Sequence, residues 1–232
     1  DWVTEEELGA GRCYWWSPDG SRFAFLQFDQ RPVGVVPITD DAMPYPGLEE
    51  QWYPKAGTAN PKVRLGVVPA VGGAPVWLDT GGDDHYLPRA GWTPAGEVWA
   101  QRLSRGQDRL ELLLAAPDGG PVRTLLTESD RAWVDVHDDL HFLADGRFLW
   151  SSERDGWRHL FLHGADGALI RRLTAGDWEV QALIGVDAAE RTAFVEANPG
   201  DPRQRHLFRV DLAGGDMSRL DGGGRGTHQG LP

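Results

Sequence analysis

Apolar positions fall in short runs along the chain, and one pattern returns four times: a β-type run, a glycine-rich turn, then a second short run ending in leucine. The copies span Val63 to Leu78, Leu110 to Leu126, Leu160 to Leu173 and Leu207 to Leu220. Their closing leucines, Leu78, Leu126, Leu173 and Leu220, lie 48, 47 and 47 residues apart. A near-constant period of that length marks a repeat architecture. Within a copy the pattern reads as a hairpin. Leu110, Leu112 and Leu114 alternate along one strand, and Asp118-Gly119 supplies the positive φ of a tight turn. Gly72-Gly73, Asp166-Gly167 and Gly214-Gly215 hold the same place in the other copies.

A second motif accompanies each hairpin. Trp16-Ser-Pro-Asp-Gly20, Trp92-Thr-Pro-Ala-Gly96 and Phe142-Leu-Ala-Asp-Gly146 share an aromatic residue, a turn and a glycine, and each leads into an apolar strand. Val186 to Arg191, ahead of Thr192-Ala193-Phe194-Val195, reads as a degenerate fourth copy. Two hairpins per unit give four strands per unit, which is the blade of a β-propeller. A sandwich with evenly spaced turns would explain the strands but not the period. The expected fold is therefore all-β, a partial propeller of about four four-stranded blades. The units run over about 62–110, 110–158, 159–206 and, incompletely, 207–232. Ahead of them, residues 4–9 read as a short acidic helix with Thr4 as N-cap. The proline- and glycine-rich segment 31–61 reads as a long excursion from a blade.

Composition narrows the function classes. The 232 residues carry 35 acidic and 23 basic side chains, a formal net charge of −12. Binding to nucleic acid or to an anionic membrane needs a basic surface, so neither partner is expected. No apolar run is long enough to span a bilayer, so no membrane segment is expected. The composition is that of a soluble globular protein. Eleven tryptophans and thirty glycines suit sheet contacts and tight turns. The one cysteine, Cys13, reads as a buried, inert thiol. The opening at Asp1, without a methionine, reads as a piece of a longer chain.

Several stretches together resemble the dipeptidyl peptidase IV family. They begin with Asp1-Trp2-Val3-Thr4-Glu5-Glu6-Glu7 and continue with Trp15-Trp16-Ser17-Pro18-Asp19-Gly20 and the strand Phe25 to Asp29. Tyr53-Pro54-Lys55-Ala56-Gly57 and Asn60-Pro61 follow in the excursion. Later come Asp155-Gly156-Trp157-Arg158-His159-Leu160, Gly176-Asp177-Trp178-Glu179-Val180 and the terminal Thr227-His228. The resemblance implies half of an eight-bladed propeller, set over an α/β-hydrolase domain whose serine removes dipeptides with penultimate Pro or Ala. That hydrolase domain is the implied partner within the parent chain, and no cofactor is implied. No Gly-x-Ser-x-Gly occurs in these residues, so the nucleophile elbow lies elsewhere and this stretch alone is expected to be inactive. An open half-ring leaves two apolar blade faces uncovered, so self-association into a homodimer is expected as well.

The resemblance gives Glu6 and Glu7 the role of anchoring the free N-terminus of a peptide substrate. The chemistry suits them, because an α-ammonium offers three N–H donors to carboxylates in charge-assisted bonds. Without the resemblance, three glutamates would be a solvated first helical turn favoured by the macrodipole, and Glu5 keeps that reading. Thr4 departs from the aromatic residue common at its place in the family. Alternation on a strand would put His137, Asp139 and His141 on one face, with Asp138 between them, as metal ligands would be. An exposed polar strand or loop is the preferred reading, and no metal is expected. Ser151, Ser152, Asp155 and His159 are the residue types of a hydrolytic triad but lie in one hairpin, and no catalytic residue is assigned. Trp99, Trp150 and Trp178 read as packing residues. A non-enzymatic ligand-binding or scaffold propeller remains the alternative.

Overall fold

The computed structural model describes residues 2–42 and 44–227. Asp1 and His228, both part of the resemblance, lie outside the described residues. Four four-stranded antiparallel sheets organise the described chain, each a simple up-and-down meander. The first comprises β1 (Tyr14–Trp16), β2 (Arg22–Asp29), β5 (Lys62–Pro69) and β6 (Val76–Leu78). Between β2 and β5 the chain leaves to form a separate hairpin, β3 (Val35–Asp40) and β4 (Gly47–Trp52). The second sheet has the order β10-β9-β8-β7, from β7 (His85–Trp92), β8 (Val98–Ser104), β9 (Arg109–Ala115) and β10 (Arg123–Ser129). The third holds β11 (Leu140–Phe142), β12 (Phe148–Ser152), β13 (His159–His163) and β14 (Leu169–Arg172). The fourth holds β15 (Val180–Val186), β16 (Thr192–Ala197), β17 (His206–Asp211) and β18 (Met217–Arg219).

The turns follow from local chemistry. Asp19, Asp145 and Asp166 each accept the N–H two residues ahead at 3.0 Å, while the intervening glycine takes positive φ. A side-chain oxygen that satisfies the turn's own backbone lets the chain reverse without a partner strand. The degenerate copy is a genuine turn: Asp187 accepts the N–H groups of Arg191 and Thr192, and Glu190 sits at φ +52 in the place of the glycine. Repeat units counted from 62, 110, 159 and 207 begin at the third strand of each sheet, not the first. A repeat fixes a period but not a phase.

The chain divides into two compact units. One comprises the residues through Trp92 with Gly96–Thr124 and Arg131–Trp133; the other takes Thr93–Ala95, Leu125–Asp130 and the described residues from Val134 onward. Each unit has its own core. In the first, Ala24, Leu26, Leu65 and Val67 of one sheet pack with Leu87, Ala90, Val98 and Ala100 of the next. In the second, Leu149, Leu160 and Leu162 pack with Val180, Val195, Phe208 and Val210. Cys13 is half-buried at the edge of the first core, where burial pushes its thiol above the usual range.

The short helix differs from expectation. Instead of an acidic helix over 4–9 capped by Thr4, there is one π-helical turn, Val3–Glu7, entered from Trp2 with no side-chain cap. Thr4 lies within the turn and is buried. A five-residue turn is too short to be stable through its own bonds, so the surroundings choose its form. The excursion holds the hairpin β3–β4, where Ile38, Tyr45 and Leu48 are exposed.

Candidate functional site

The acidic turn lies just before β1 and presents Glu5, Glu6 and Glu7 to solvent. Its backbone closes with Leu8 N–H donating to Val3 O at 3.1 Å and Ala10 N–H to Thr4 O at 2.9 Å. Gly9 lies between those donors at φ +62, the left-handed conformation that ends a helical turn. Isolated π-turns are rare and occur often at functional sites. Here the turn leaves Glu6 and Glu7 exposed while Thr4 is buried.

The turn is tied to the rest of its unit at both ends. At its start, the Trp2 indole packs on Tyr53 with ring centroids 4.6 Å apart. Tyr53 follows β4 directly, and its N–H donates to Gly34 O at 2.9 Å. At its end, Arg89 Nη1 donates to Leu8 O at 2.7 Å and to Pro88 O at 2.9 Å. Arg89 belongs to β7, where pairing slips between Tyr86 and Arg89 so that Leu87 and Pro88 together face one residue of β8. Pro88 has no N–H to give to the ladder, and a bulge at that point re-aims the side chain that follows. Sequence reasoning missed Arg89, although a proline inside a strand pattern was the available signal.

The remaining excursion is also fastened to this unit. Asn60 donates to the Tyr86 hydroxyl at 2.8 Å, Arg105 donates to Thr58 O, and Lys62 pairs with Asp83 at 2.6 Å. Where the excursion leaves β2 and rejoins β5 there is an open cleft of about 510 Å³ lined by Phe28, Asp29, Arg31, Lys62, Arg64 and Asp83 among others. Its charges largely answer one another. The Arg31 guanidinium holds Asp29 down at about 2, and Lys62 lowers Asp83.

The other sequence candidates resolve into structural roles. Only Leu140–Phe142 is strand, so His137 and Asp139 precede it in irregular chain and the expected alternation does not apply. Asp139 is buried rather than exposed, and its Oδ1 accepts the N–H of Leu183 at 2.7 Å. His137 packs edge-on to Trp150, with centroids 4.4 Å apart. Among the described residues no three His, Cys, Asp or Glu side chains come together as a metal site. His159 is fully buried, with Nδ1 3.0 Å from Thr174 Oγ1 and Nε2 3.0 Å from Gly176 O. Ser152 Oγ accepts from Arg154, and Asp155 pairs with Arg172. Nothing there forms a triad. Trp150 is fully buried with Nε1 donating to Glu128, Trp178 packs edge-on to His159, and Trp99 lies over Gly91.

The profile of a family described as "Dipeptidyl peptidase IV (DPP IV) N-terminal region" matches residues 1–228. A "Probable dipeptidyl-aminopeptidase B" from Emericella nidulans is 31% identical over 251 residues, covering 95% of this chain and 28% of its own length. A "Venom dipeptidyl peptidase 4" from Apis mellifera is 31% identical over 240 residues, covering 93% of this chain and 31% of its own length. The crystal structure of Porphyromonas gingivalis dipeptidyl peptidase 4 matches 98% of this chain with a TM-score of 0.90 at 30% identity, using 33% of that chain. A putative dipeptidyl aminopeptidase IV from Bacteroides ovatus shares the fold, with a TM-score of 0.81 at 23% identity. The chain thus spans about a third of the proteins it matches.

Proposed function

The chain belongs to the dipeptidyl peptidase IV N-terminal region family, and from that premise we propose that it is the substrate-gating, amine-anchoring propeller portion of a serine dipeptidyl aminopeptidase. The four meander sheets are consecutive blades, about half of a ring that forms the lid and mouth of the active site. The serine nucleophile belongs to a hydrolase domain outside these residues, since no Gly-x-Ser-x-Gly occurs among them. The substrates are peptides with a free N-terminus and proline or alanine in the second position.

In this reading Glu6 and Glu7 receive the substrate's α-ammonium. A free α-amino group has a pKa of roughly 7.7 to 8.0 and is largely protonated at neutral pH. Two carboxylates accept its N–H donors, and their fixed distance from the nucleophile sets the number of residues removed. An endopeptidase needs no such stop. The observation that carries the proposal is that Glu6 and Glu7 are adjacent and exposed on a turn held at both ends.

The test is kinetic. In the full-length protein Glu6→Gln and Glu7→Gln keep the shape but remove the charge. A hydrogen bond to a charged group contributes about 1.5–3 kcal/mol, so each variant should lose roughly 10- to 100-fold in kcat/KM on dipeptidyl amides. Unchanged efficiency in both variants would overturn the anchoring role.

A further inference from the structure

We propose that Arg89 is the positioning residue of the amine anchor: its guanidinium holds Glu6 and Glu7 at their working distance from the reacting centre without touching substrate. The inference rests on the anchoring role proposed above for those two glutamates.

A carboxylate pair that measures two residues from a nucleophile has to stand still. The turn that carries it cannot hold itself, because its backbone closes through few bonds of its own. Among the turn residues only Thr4 is buried, and none of them belongs to the first unit's core. Its position therefore depends on what grips it. Tyr53 grips the start of the turn at Trp2, but Tyr53 belongs to the excursion. Arg89 grips the end, one residue beyond Glu7, and Arg89 is anchored in β7, the end strand of the second sheet, which is mostly buried.

The geometry suits that task. One nitrogen, Nη1, bridges Leu8 O and Pro88 O, so the carbonyl at the end of the turn is tied to the backbone of the bulge. Arg89 Nη2 lies 4.0 Å from where a Cβ on Gly9 would stand, so the guanidinium fills the space beneath the left-handed residue. Carbonyls at the end of a helical turn carry partial negative charge, and a cation there is favoured. Glu5, Glu6 and Glu7 are all exposed, so the turn offers carboxylates to an incoming ammonium. The bulge at Leu87-Pro88 is what puts Arg89 in reach, because a regular strand would change its phase.

The experiment uses the full-length enzyme with Arg89→Met, Arg89→Lys, Glu6→Gln and Glu7→Gln. Methionine keeps the apolar stem and removes the donors. Three quantities are read: KM and kcat on a dipeptidyl amide, the rate at which a small fluorophosphonate without an amine labels the nucleophilic serine, and the ratio of two- to three-residue products from a longer peptide. Arg89→Met should raise KM about tenfold, the scale of one lost charge-assisted bond, and release more three-residue product, with fluorophosphonate labelling unchanged. Arg89→Lys, which keeps a cationic donor, should recover part of the KM. If Arg89→Met leaves KM and product length unchanged while both glutamate variants are impaired, the anchor stands and the positioning role falls. If turnover and labelling fall together, Arg89 is only structural and the proposal is likewise overturned. If the glutamate variants are themselves unimpaired, the anchoring role fails and takes this inference with it.

Discussion

Glu190 occupies the turn position where Asp19-Gly20, Asp145-Gly146 and Asp166-Gly167 carry glycine, yet it keeps the positive φ. Its carboxylate explains why. Both oxygens accept the N–H of Ala144, at 2.9 and 3.1 Å, so the side chain offsets the strain of a left-handed residue. Glu190→Ala loses the bond and keeps the strain, whereas Glu190→Gly loses the bond and relieves it. The alanine variant should be less stable than the glycine variant by about 1 kcal/mol in denaturant unfolding, with the Ala144 amide exchanging faster in both. Histidines supply the second prediction. Burial lowers the pKa of His159 and of His163, and both are wired as neutral rings. His159 Nε2–H donates to Gly176 O, which leaves Nδ1 to accept from Thr174. His163 Nδ1–H donates to Gly167 O, and its buried Nε2 has no partner to receive a proton's N–H. Their folded pKa values lie below the unfolded value near 6.5, so the unfolded chain binds more protons as pH falls. Stability should be unaffected above about pH 7 and decline below about pH 6.5, by at most about 1.4 kcal/mol per pH unit for each histidine. Amide exchange in β13, corrected for intrinsic rate, should accelerate from pH 7 to 5. Glu6 and Glu7 are proposed through a contiguous motif that carries the family resemblance, but Arg89 reaches Leu8 across some eighty residues and by way of a bulge, which local pattern does not reveal.

At the scale of elements, the hairpins were legible wherever Asp-Gly or Gly-Gly sat between alternating residues, because the turn chemistry is local. Strands β7 and β15 were not, since each opens a sheet after irregular chain and each carries a register slip. The hairpin β3–β4 was hidden among prolines. One of them, Pro37, sits opposite Glu50 in a two-stranded sheet, where a missing N–H is tolerated on the open edge. The sheet boundaries were displaced by half a repeat because the most regular hairpin is the second half of each sheet. Tight approach between elements gives a third prediction. Gly167 at φ +85 lies where an added Cβ would meet Leu125 O at 1.8 Å, while Gly20 at φ +68 faces open space. Gly167→Ala should therefore cost about 1 kcal/mol for the backbone conformation and further strain for the displaced strand, against only the first part for Gly20→Ala. Equal losses in urea unfolding would contradict the close packing of the turn on β10.

At the scale of the molecule, the period and the scarcity of helical pattern pointed to an all-β chain of repeated sheets, and the four meanders have that form. The division into two units, each with a core drawn from more than one sheet, was not legible, because a period does not say which neighbours share side chains. The net charge is −12, and the acidic feature proposed for a task is the turn at the start of the chain. This turn is proposed to hold the amine end of a peptide. The most direct measurement is a crystal structure of the full-length protein with a dipeptide product bound. The α-ammonium nitrogen should lie within about 3.2 Å of carboxylate oxygens of both Glu6 and Glu7, with Leu8 O still held by Arg89. An ammonium bound elsewhere, with Glu6 and Glu7 facing only solvent, would overturn the anchoring role.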